Sequence, residues 1–62
     1  MNKKAEDVLL NVLFRNEAYG DAVGSSEEQD RKESYIDALK ESANEFGLDI
    51  DYILENLELD EE

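Results

Sequence analysis

The sequence has no cysteine, no histidine and no proline among its 62 residues. Without cysteine the chain forms neither a disulfide nor a thiolate zinc site, and without histidine it lacks the common nitrogen ligand of metal sites. The usual pairs of a nucleophile and a base are also excluded, which leaves only rarer lysine or carboxylate schemes. We therefore predict a protein that is not an enzyme and that holds neither a metal ion nor a cofactor.

Cationic residues are scarce as well. Six lysines and arginines stand against eighteen aspartates and glutamates, and the net charge is −12 at pH 7. Proteins that bind nucleic acid neutralise phosphates with lysine and arginine, so direct binding to nucleic acid is disfavoured, and binding to anionic membranes is disfavoured for the same reason. The favoured partner is a protein with a basic surface.

The chain also lacks a long apolar run. Residues 8–14 form an apolar stretch, but Asn11 interrupts it and the stretch is far too short to span a bilayer. Lys3 and Lys4 near the start are followed at once by Glu6 and Asp7, a pattern that does not fit a targeting signal. We therefore expect a cytoplasmic protein.

The small size of the chain makes its core marginal. A domain below about 70–80 residues rarely obtains more than ~3–5 kcal/mol from its core, and disulfides and zinc are excluded here. Association with a second copy is the remaining source of stability, so a homodimer stays among the alternatives.

The spacing of apolar residues predicts three helices and no strand, and the absence of proline agrees with this. The first helix is predicted over about residues 4–18. The second follows a serine pair and ends at about residue 46, and the third covers about residues 50–59. We therefore expect an all-α, compact three-helix mini-domain over residues 1–58, followed by an acidic tail over residues 59–62.

Each predicted helix has residues suited to its ends. Gly20 is expected to take the left-handed conformation that ends the first helix, and Gly47 the one that ends the second. Either Ser25 or Ser26 can start the second helix, since each has an acidic or amide side chain three residues later that completes a capping box. Asp49 is expected to cap the third helix.

The apolar stripes of the three helices predict one common core. On each helix these residues recur at the spacing of a single face. The predicted core consists of Ala5, Val8, Leu9, Val12 and Leu13, then Tyr35, Ile36, Leu39, Ala43 and Phe46, and finally Ile50, Ile53, Leu54 and Leu57.

Acidic residues on the second and third predicted helices also recur at helical spacing. On the second helix, steps of four residues place a row of carboxylates opposite the apolar stripe, with successive members about 6 Å apart along the axis. This spacing is of the same order as that of consecutive phosphates on a nucleic-acid strand. The two sets comprise Asp30, Glu33, Asp37, Glu41 and Glu45 on the second helix, and Asp51, Glu55 and Glu58 on the third.

The second half of the longer row conflicts with helix electrostatics. Like charges four residues apart repel, and carboxylates near a helix C-terminus oppose the macrodipole, so Lys40 alone is expected to offset Glu41 and Glu45. A local rule that is broken without compensation points to function. We hypothesise that the rows imitate a phosphate backbone and bind the nucleic-acid-binding surface of a basic protein. The alternatives are a basic partner recognised in another way and a face that is simply solvated.

Two pairs of apolar residues lie outside the predicted core stripes. Leu10 and Phe14 are one turn apart on the first helix, and Tyr52 and Leu59 lie on the far side of the third. Exposed apolar residues often mark interfaces. These four residues therefore form an alternative interface for a partner or a homodimer, with the acidity serving solubility. In the competing interpretation, the first helix is central and packs on both neighbours.

Residues 39–57 resemble the helix-turn-helix pattern. Ala43 stands where that family has a small packing residue, Gly47 lies four residues later at the turn, and Ile53 follows six residues further on. The resemblance implies two helices joined by a tight turn. Its DNA-binding role does not carry over, because residues 49–56 contain three acids and no base and would be repelled by phosphates.

In charge and size the chain is similar to small acidic proteins that phages make to block host DNA-handling factors. Together with the carboxylate rows, this similarity favours a non-enzymatic inhibitor or regulator of a basic, nucleic-acid-binding protein.

Overall fold

The computed structural model describes residues 3–59. In this range the chain forms three helices and no strand: α1 (Lys3–Ala22), α2 (Glu28–Phe46) and α3 (Ile50–Asn56). The all-α, three-helix prediction is confirmed. Residues 60–62 of the predicted acidic tail lie outside the described residues. None of the described helices is both long enough and apolar enough to cross a membrane.

The central element is α2. It packs against both α1 and α3, whereas no Cα atom of α1 comes within 8 Å of one in α3. At 100° per residue the buried side chains of α2 cover an arc of about 160°, which is wide enough for two neighbours. These side chains are Tyr35, Ile36, Ala38, Leu39, Ser42 and Ala43. The resulting molecule is flat, with extents of 36 × 22 × 13 Å.

The core forms where α2 meets the C-terminal part of the chain. Ile36 is its most buried side chain, at 1% exposure. Beside it, the rings of Tyr19 and Tyr35 stack with their centroids 6.0 Å apart, and burial raises the pKa of Tyr35. The buried cluster contains Tyr35, Ile36, Leu39, Leu54 and Leu59, with Val12, Tyr19, Ile50 and Ile53 packed against it.

The predicted junction between α2 and α3 is confirmed. Gly47 has a φ of 68°, and its N–H donates to the carbonyl of Ala43. The N–H of Leu48 donates to the same carbonyl at 2.8 Å, which completes a Schellman ending. Asp49 then caps α3 as expected, because its Oδ1 accepts a hydrogen bond from the N–H of Tyr52 at 3.2 Å. The resemblance to the helix-turn-helix family itself stays a prediction.

The predicted end of α1 at Gly20 is wrong. The helix continues to Ala22, and the left-handed conformation falls instead on Gly24, with a φ of 89°. Ala22 is only 8% exposed, and it lies one helical turn after the half-buried Ala18. Burial of this last turn favours continued helix and outweighs the preference of glycine for a helix end.

The predicted serine cap of α2 is also wrong. The helix begins at Glu28, with Glu27 as the N-cap and no side-chain hydrogen bond at that cap. The Ser25 hydroxyl donates to the carbonyl of Ala22 at 2.6 Å and accepts from the N–H of Glu27 at 3.2 Å. The carboxylate of Glu28 accepts from the N–H of Gly24 at 2.9 Å. These side chains therefore stabilise the α1–α2 loop instead of forming a capping box.

Four residues of the predicted core are exposed. Leu9 and Leu13 on α1 are 44% and 60% exposed, and Phe46 and Leu57 near the helix ends are 38% and 47% exposed. Small residues that the apolar stripe missed are buried on α2, namely Ala38 and Ser42. The Ser42 hydroxyl donates to the carbonyl of Leu39 at 2.8 Å, so its burial leaves no unpaired polar group.

Leu59 belongs to the core and is only 4% exposed, so its predicted place in an exposed interface is wrong. The reason is a chain reversal at Glu58, which has a φ of 58°. The N–H of Leu59 donates to the carbonyl of Leu54 at 2.9 Å and that of Glu58 to Glu55 at 3.2 Å, again a Schellman ending. This reversal ends α3 at Asn56, three residues before the predicted end, and turns Leu59 inward.

The left-handed conformation of Glu58 predicts a stabilising substitution. A non-glycine residue in this region costs roughly 1–2 kcal/mol, which glycine avoids at some cost in chain entropy. We expect Glu58→Gly to raise the free energy of unfolding by about 0.5–1 kcal/mol relative to Glu58→Gln, which removes the same charge. Urea denaturation followed by circular dichroism measures the difference. A lower value for the glycine variant would contradict the reversal at residue 58.

Burial of Tyr35 predicts a loss of stability at alkaline pH. The pKa of Tyr35 in the folded chain is raised above the ordinary value of 10.0. The contribution of Tyr35 to the free energy of unfolding is therefore complete below pH 10. It declines above pH 10, because the unfolded chain releases the proton at a lower pH than the folded chain does. We expect Tyr35→Phe to show a shallower decline of unfolding free energy between about pH 9.5 and 11. Tyr52→Phe, at a side chain that is 67% exposed, is the control and should keep the wild-type slope.

Candidate acidic binding surface

The predicted row on α2 winds around the helix. A step of four residues turns about 400°, so from Glu33 onward each member lies about 40° further round than the previous one. The members from Asp30 to Glu41 are exposed. Glu45, at the end of the row, is half-buried, with 24% of its side chain exposed. The row therefore begins on the outer side of α2 and ends beside α1.

Glu45 is compensated by a cation from the neighbouring helix. Its Oε1 lies 3.5 Å from the Nζ of Lys4 on α1. The expectation that Lys40 alone offsets the second half of the row is therefore wrong. The compensating charge lies about forty positions earlier in the chain, so the charge pattern of α2 by itself could not reveal it.

A second cation from α1 lies beside the middle of the row. The guanidinium of Arg15 donates through Nη1 to the hydroxyl of Ser34 at 2.7 Å and through Nε to Oδ1 of Asn11 at 3.2 Å. The same residues line a surface groove of about 350 Å³ together with Asp37 and Glu41. Arg15 thus places positive charge near the C-terminal half of the row without forming an ion pair there.

The first part of the row forms no ion pair among the described residues. Asp30, Glu33 and Asp37 are exposed, and none of them forms an ion pair with another residue in the range 3–59. Within residues 3–59 the only side-chain hydrogen bond to one of these carboxylates comes from Gln29, whose Nε2 donates to Glu33 at 3.3 Å. We call Asp30, Glu33 and Asp37 the open row, because they are exposed and form no ion pair among the described residues, although Asp37 shares the groove of Arg15.

The carboxylates of α3 form a separate group. Asp51 and Glu55 are exposed and one turn apart, but Glu58 lies beyond the helix in the left-handed turn and does not continue their line. The side of α2 that meets α3 carries Ile36 and Leu39. Asp37 points about 130° away from this side, so the open row lies on a part of α2 that does not face α3.

The predicted apolar interface is changed in composition. Leu10, Phe14 and Tyr52 are exposed at 47%, 67% and 67%, whereas Leu59 is buried. Leu9 and Leu13 join the exposed set on α1. The signal for them is present in the sequence, because six of the seven residues in the range 8–14 are apolar and no single stripe can bury all of them.

The described part of the chain has no arrangement that points to metal binding. It contains no group of three or more carboxylates that could hold a metal ion. A second surface groove, of about 450 Å³, lies between the end of α1 and the start of α2. It is lined by Ala18, Asp21, Ala22, Ser25, Glu27 and Arg31. In this groove the carboxylate of Glu27 is paired with Arg31 at 3.0 Å.

Comparisons with known proteins do not identify a family. No protein-family model, no curated protein and no solved structure matches the chain.

The ion pair between Lys4 and Glu45 predicts a measurable coupling between α1 and α2. In a double-mutant cycle of Lys4→Gln and Glu45→Gln, we expect a coupling energy of about 0.3–1 kcal/mol at low salt, because the pair is partly exposed. The coupling should shrink in 0.5 M NaCl as the charges are screened. Urea denaturation of the four proteins at both salt concentrations provides the measurement.

Glu33→Gln is the matched control for that cycle. It removes a carboxylate that repels Asp37 and has no cation to lose, so stability should stay equal or rise by a few tenths of a kcal/mol. If Glu33→Gln and Glu45→Gln reduced stability equally, the distinction between the open row and the compensated end of the row would be wrong.

Proposed function

We propose that the protein is a non-enzymatic cytoplasmic binding protein that covers the nucleic-acid-binding surface of a basic protein and so inhibits or regulates it. The observation that carries this proposal is the open row. Its three carboxylates are exposed, unpaired and held on one side of a helix. The proposal is narrower than the prediction from the sequence, since it assigns direct contact to three of the eight predicted carboxylates.

The spacing within the open row supports recognition by a phosphate-binding surface. Glu33 and Asp37 are four residues apart, which places them about 6 Å apart along the helix axis. Arginine and lysine side chains that bind successive phosphates can therefore meet successive carboxylates. Arginine does so with particularly good geometry, because its guanidinium matches a carboxylate in two parallel hydrogen bonds.

The position of α2 in the fold supports the same function. The open row stands on the helix that contacts both of the others, so the backbone that carries its carboxylates is held in place by the core on the other side of α2. A partner would meet a preformed surface, and association would cost little ordering of the chain.

The remaining acidic residues have a different role in this proposal. Glu45 is tied to Lys4, Glu41 lies one turn before Glu45 in the groove that also contains Arg15 and Asp37, and Asp51 and Glu55 lie on α3. With the rest of the net charge they attract a basic partner from a distance and raise the rate of association.

Neutralising the open row tests the proposal. The variant Asp30→Asn/Glu33→Gln/Asp37→Asn should lose capture of a basic, nucleic-acid-binding protein from a lysate of the source cell. Wild-type capture should weaken strongly between about 50 and 300 mM salt, because the contact is between charges. Duplex DNA should displace the captured protein, since both compete for one surface.

A charge-matched variant separates this surface from bulk acidity. The variant Asp7→Asn/Asp21→Asn/Glu27→Gln removes an equal number of negative charges from other exposed positions. It should still capture the basic protein. Circular dichroism of both variants checks that the helices remain. Equal capture by the two variants, or capture that duplex DNA does not displace, would rule out imitation of a phosphate backbone.

A further inference from the structure

The outer side of α1 carries four large apolar side chains that no described element covers. Their exposed fractions are 44% for Leu9, 47% for Leu10, 60% for Leu13 and 67% for Phe14. Positions 9 and 13 are one turn apart, as are positions 10 and 14, so the four form one contiguous area. We call these four residues the α1 patch.

This exposure is unusual for the sequence that carries it. A helical segment that is apolar on all sides is normally buried on all sides. Among the apolar residues of the range 8–14 only Val8 is buried and only Val12 is half-buried, both on the side that faces the rest of the protein. The exposed area is of the order of a few hundred Å², the size at which an apolar patch on a monomer marks a binding site.

Acidic residues stand at both ends of the patch. Glu6 lies one turn before Leu9 and Leu10, and Glu17 lies one turn after Leu13 and Phe14, and both are exposed. At 100° per residue the two glutamates point in nearly the same direction, between those of Leu10 and Leu13. From Glu6 to Glu17 the outer side of α1 therefore presents a carboxylate, two apolar turns and a second carboxylate, over about 16 Å of helix, and the exposed Lys3 lies one turn before Glu6.

This arrangement disfavours a second copy of the chain as the occupant. If two α1 helices met in antiparallel fashion, Leu9 would lie opposite Phe14 of the second copy and Leu10 opposite Leu13. The same register would place Glu6 opposite Glu17 of the second copy at both ends. In a parallel pair, each glutamate would lie opposite the same glutamate of the second copy. Both pairings oppose like charges, and two chains of net charge −12 already repel each other.

A different protein with the opposite charge pattern fits the patch. We propose that α1 docks its four apolar side chains into an apolar groove of another protein whose two ends carry lysine or arginine. This is helix-in-groove recognition, in which side chains one turn apart enter the groove as anchors. Basic residues at the ends of the groove pair with Glu6 and Glu17 and fix the position of the helix. The inference does not rest on the proposed function, because the α1 patch and the open row lie on different helices.

Two synthetic probes test the chemistry of this site. Each is a designed helical hairpin with an open groove lined by leucine, and the two differ only in having lysine or glutamate at the ends of the groove. Titration of the full chain is followed by calorimetry and by amide chemical shifts. We expect the lysine probe to bind one chain and to shift amides of residues 6–17, and the glutamate probe to bind at least about tenfold more weakly.

Alanine substitutions identify the anchors. Leu10→Ala/Phe14→Ala should weaken binding of the lysine probe by about tenfold or more, because buried anchors dominate such interfaces. Alanine keeps the helix propensity high, and neither side chain belongs to the core cluster, so the variant should fold like the wild type. The control Val23→Ala/Tyr52→Ala changes two side chains that are 60% and 67% exposed elsewhere, and it should bind normally.

The outcomes separate this proposal from its competitors. The variant Asp30→Asn/Glu33→Gln/Asp37→Asn should keep the shifts on α1, so loss of function at the open row leaves this proposal standing. Equal binding by Leu10→Ala/Phe14→Ala, or shifts confined to the open row, would mean that charge alone attracts the probe and would overturn the proposal. Sedimentation that shows a dimer, abolished by the same two alanines, would overturn it in favour of a second copy.

Discussion

The contact of Ile36 and Leu39 with Leu54 and Leu59 attaches α3 and the end of the described chain to α2. In the described chain α3 approaches α2 but not α1, and the turn at residue 58 brings the end of the chain back onto the same cluster. Because Val12 and Tyr19 of α1 also pack against this cluster, α2 is the helix on which both of the others rest. The directions in which the open row and the α1 patch face therefore depend on how α1 and α3 are arranged around α2.

Local chemistry predicted the features that depend on a few neighbouring residues. Gly47 ends α2 and Asp49 caps α3, because a left-handed glycine and a short carboxylate stabilise these conformations whatever the rest of the chain does. Gly20 illustrates the limit of that reasoning. Its helix continues because Ala22 is buried, a tertiary effect that the glycine itself does not report.

Long-range features were harder to predict. A helix that is apolar on every side gives no indication of which side faces its neighbour, so Leu9 and Leu13 were assigned to a core that excludes them. The turn at Glu58 was not expected, because left-handed glutamate is uncommon, and Leu59 was therefore placed outside the core. The acidic residues were correctly placed along α2, but Lys4 of α1 pairs with Glu45, and Arg15 of α1 lies in one groove with Asp37 and Glu41.

The flatness of the molecule limits which changes in sequence it can accept. With a thickness of 13 Å, the core is about one side chain deep and each helix contributes to the interior and the surface together. Residues 36 and 37 illustrate this, since one is the most buried side chain and the next belongs to the open row. An insertion of one residue in α2 would turn all side chains after the insertion by about 100° relative to those before it, and this would affect the acidic row and the core residues equally. The positions of the charges on α2 are therefore tied to the packing of its core side. A change that moves the carboxylates around the helix also disrupts the core.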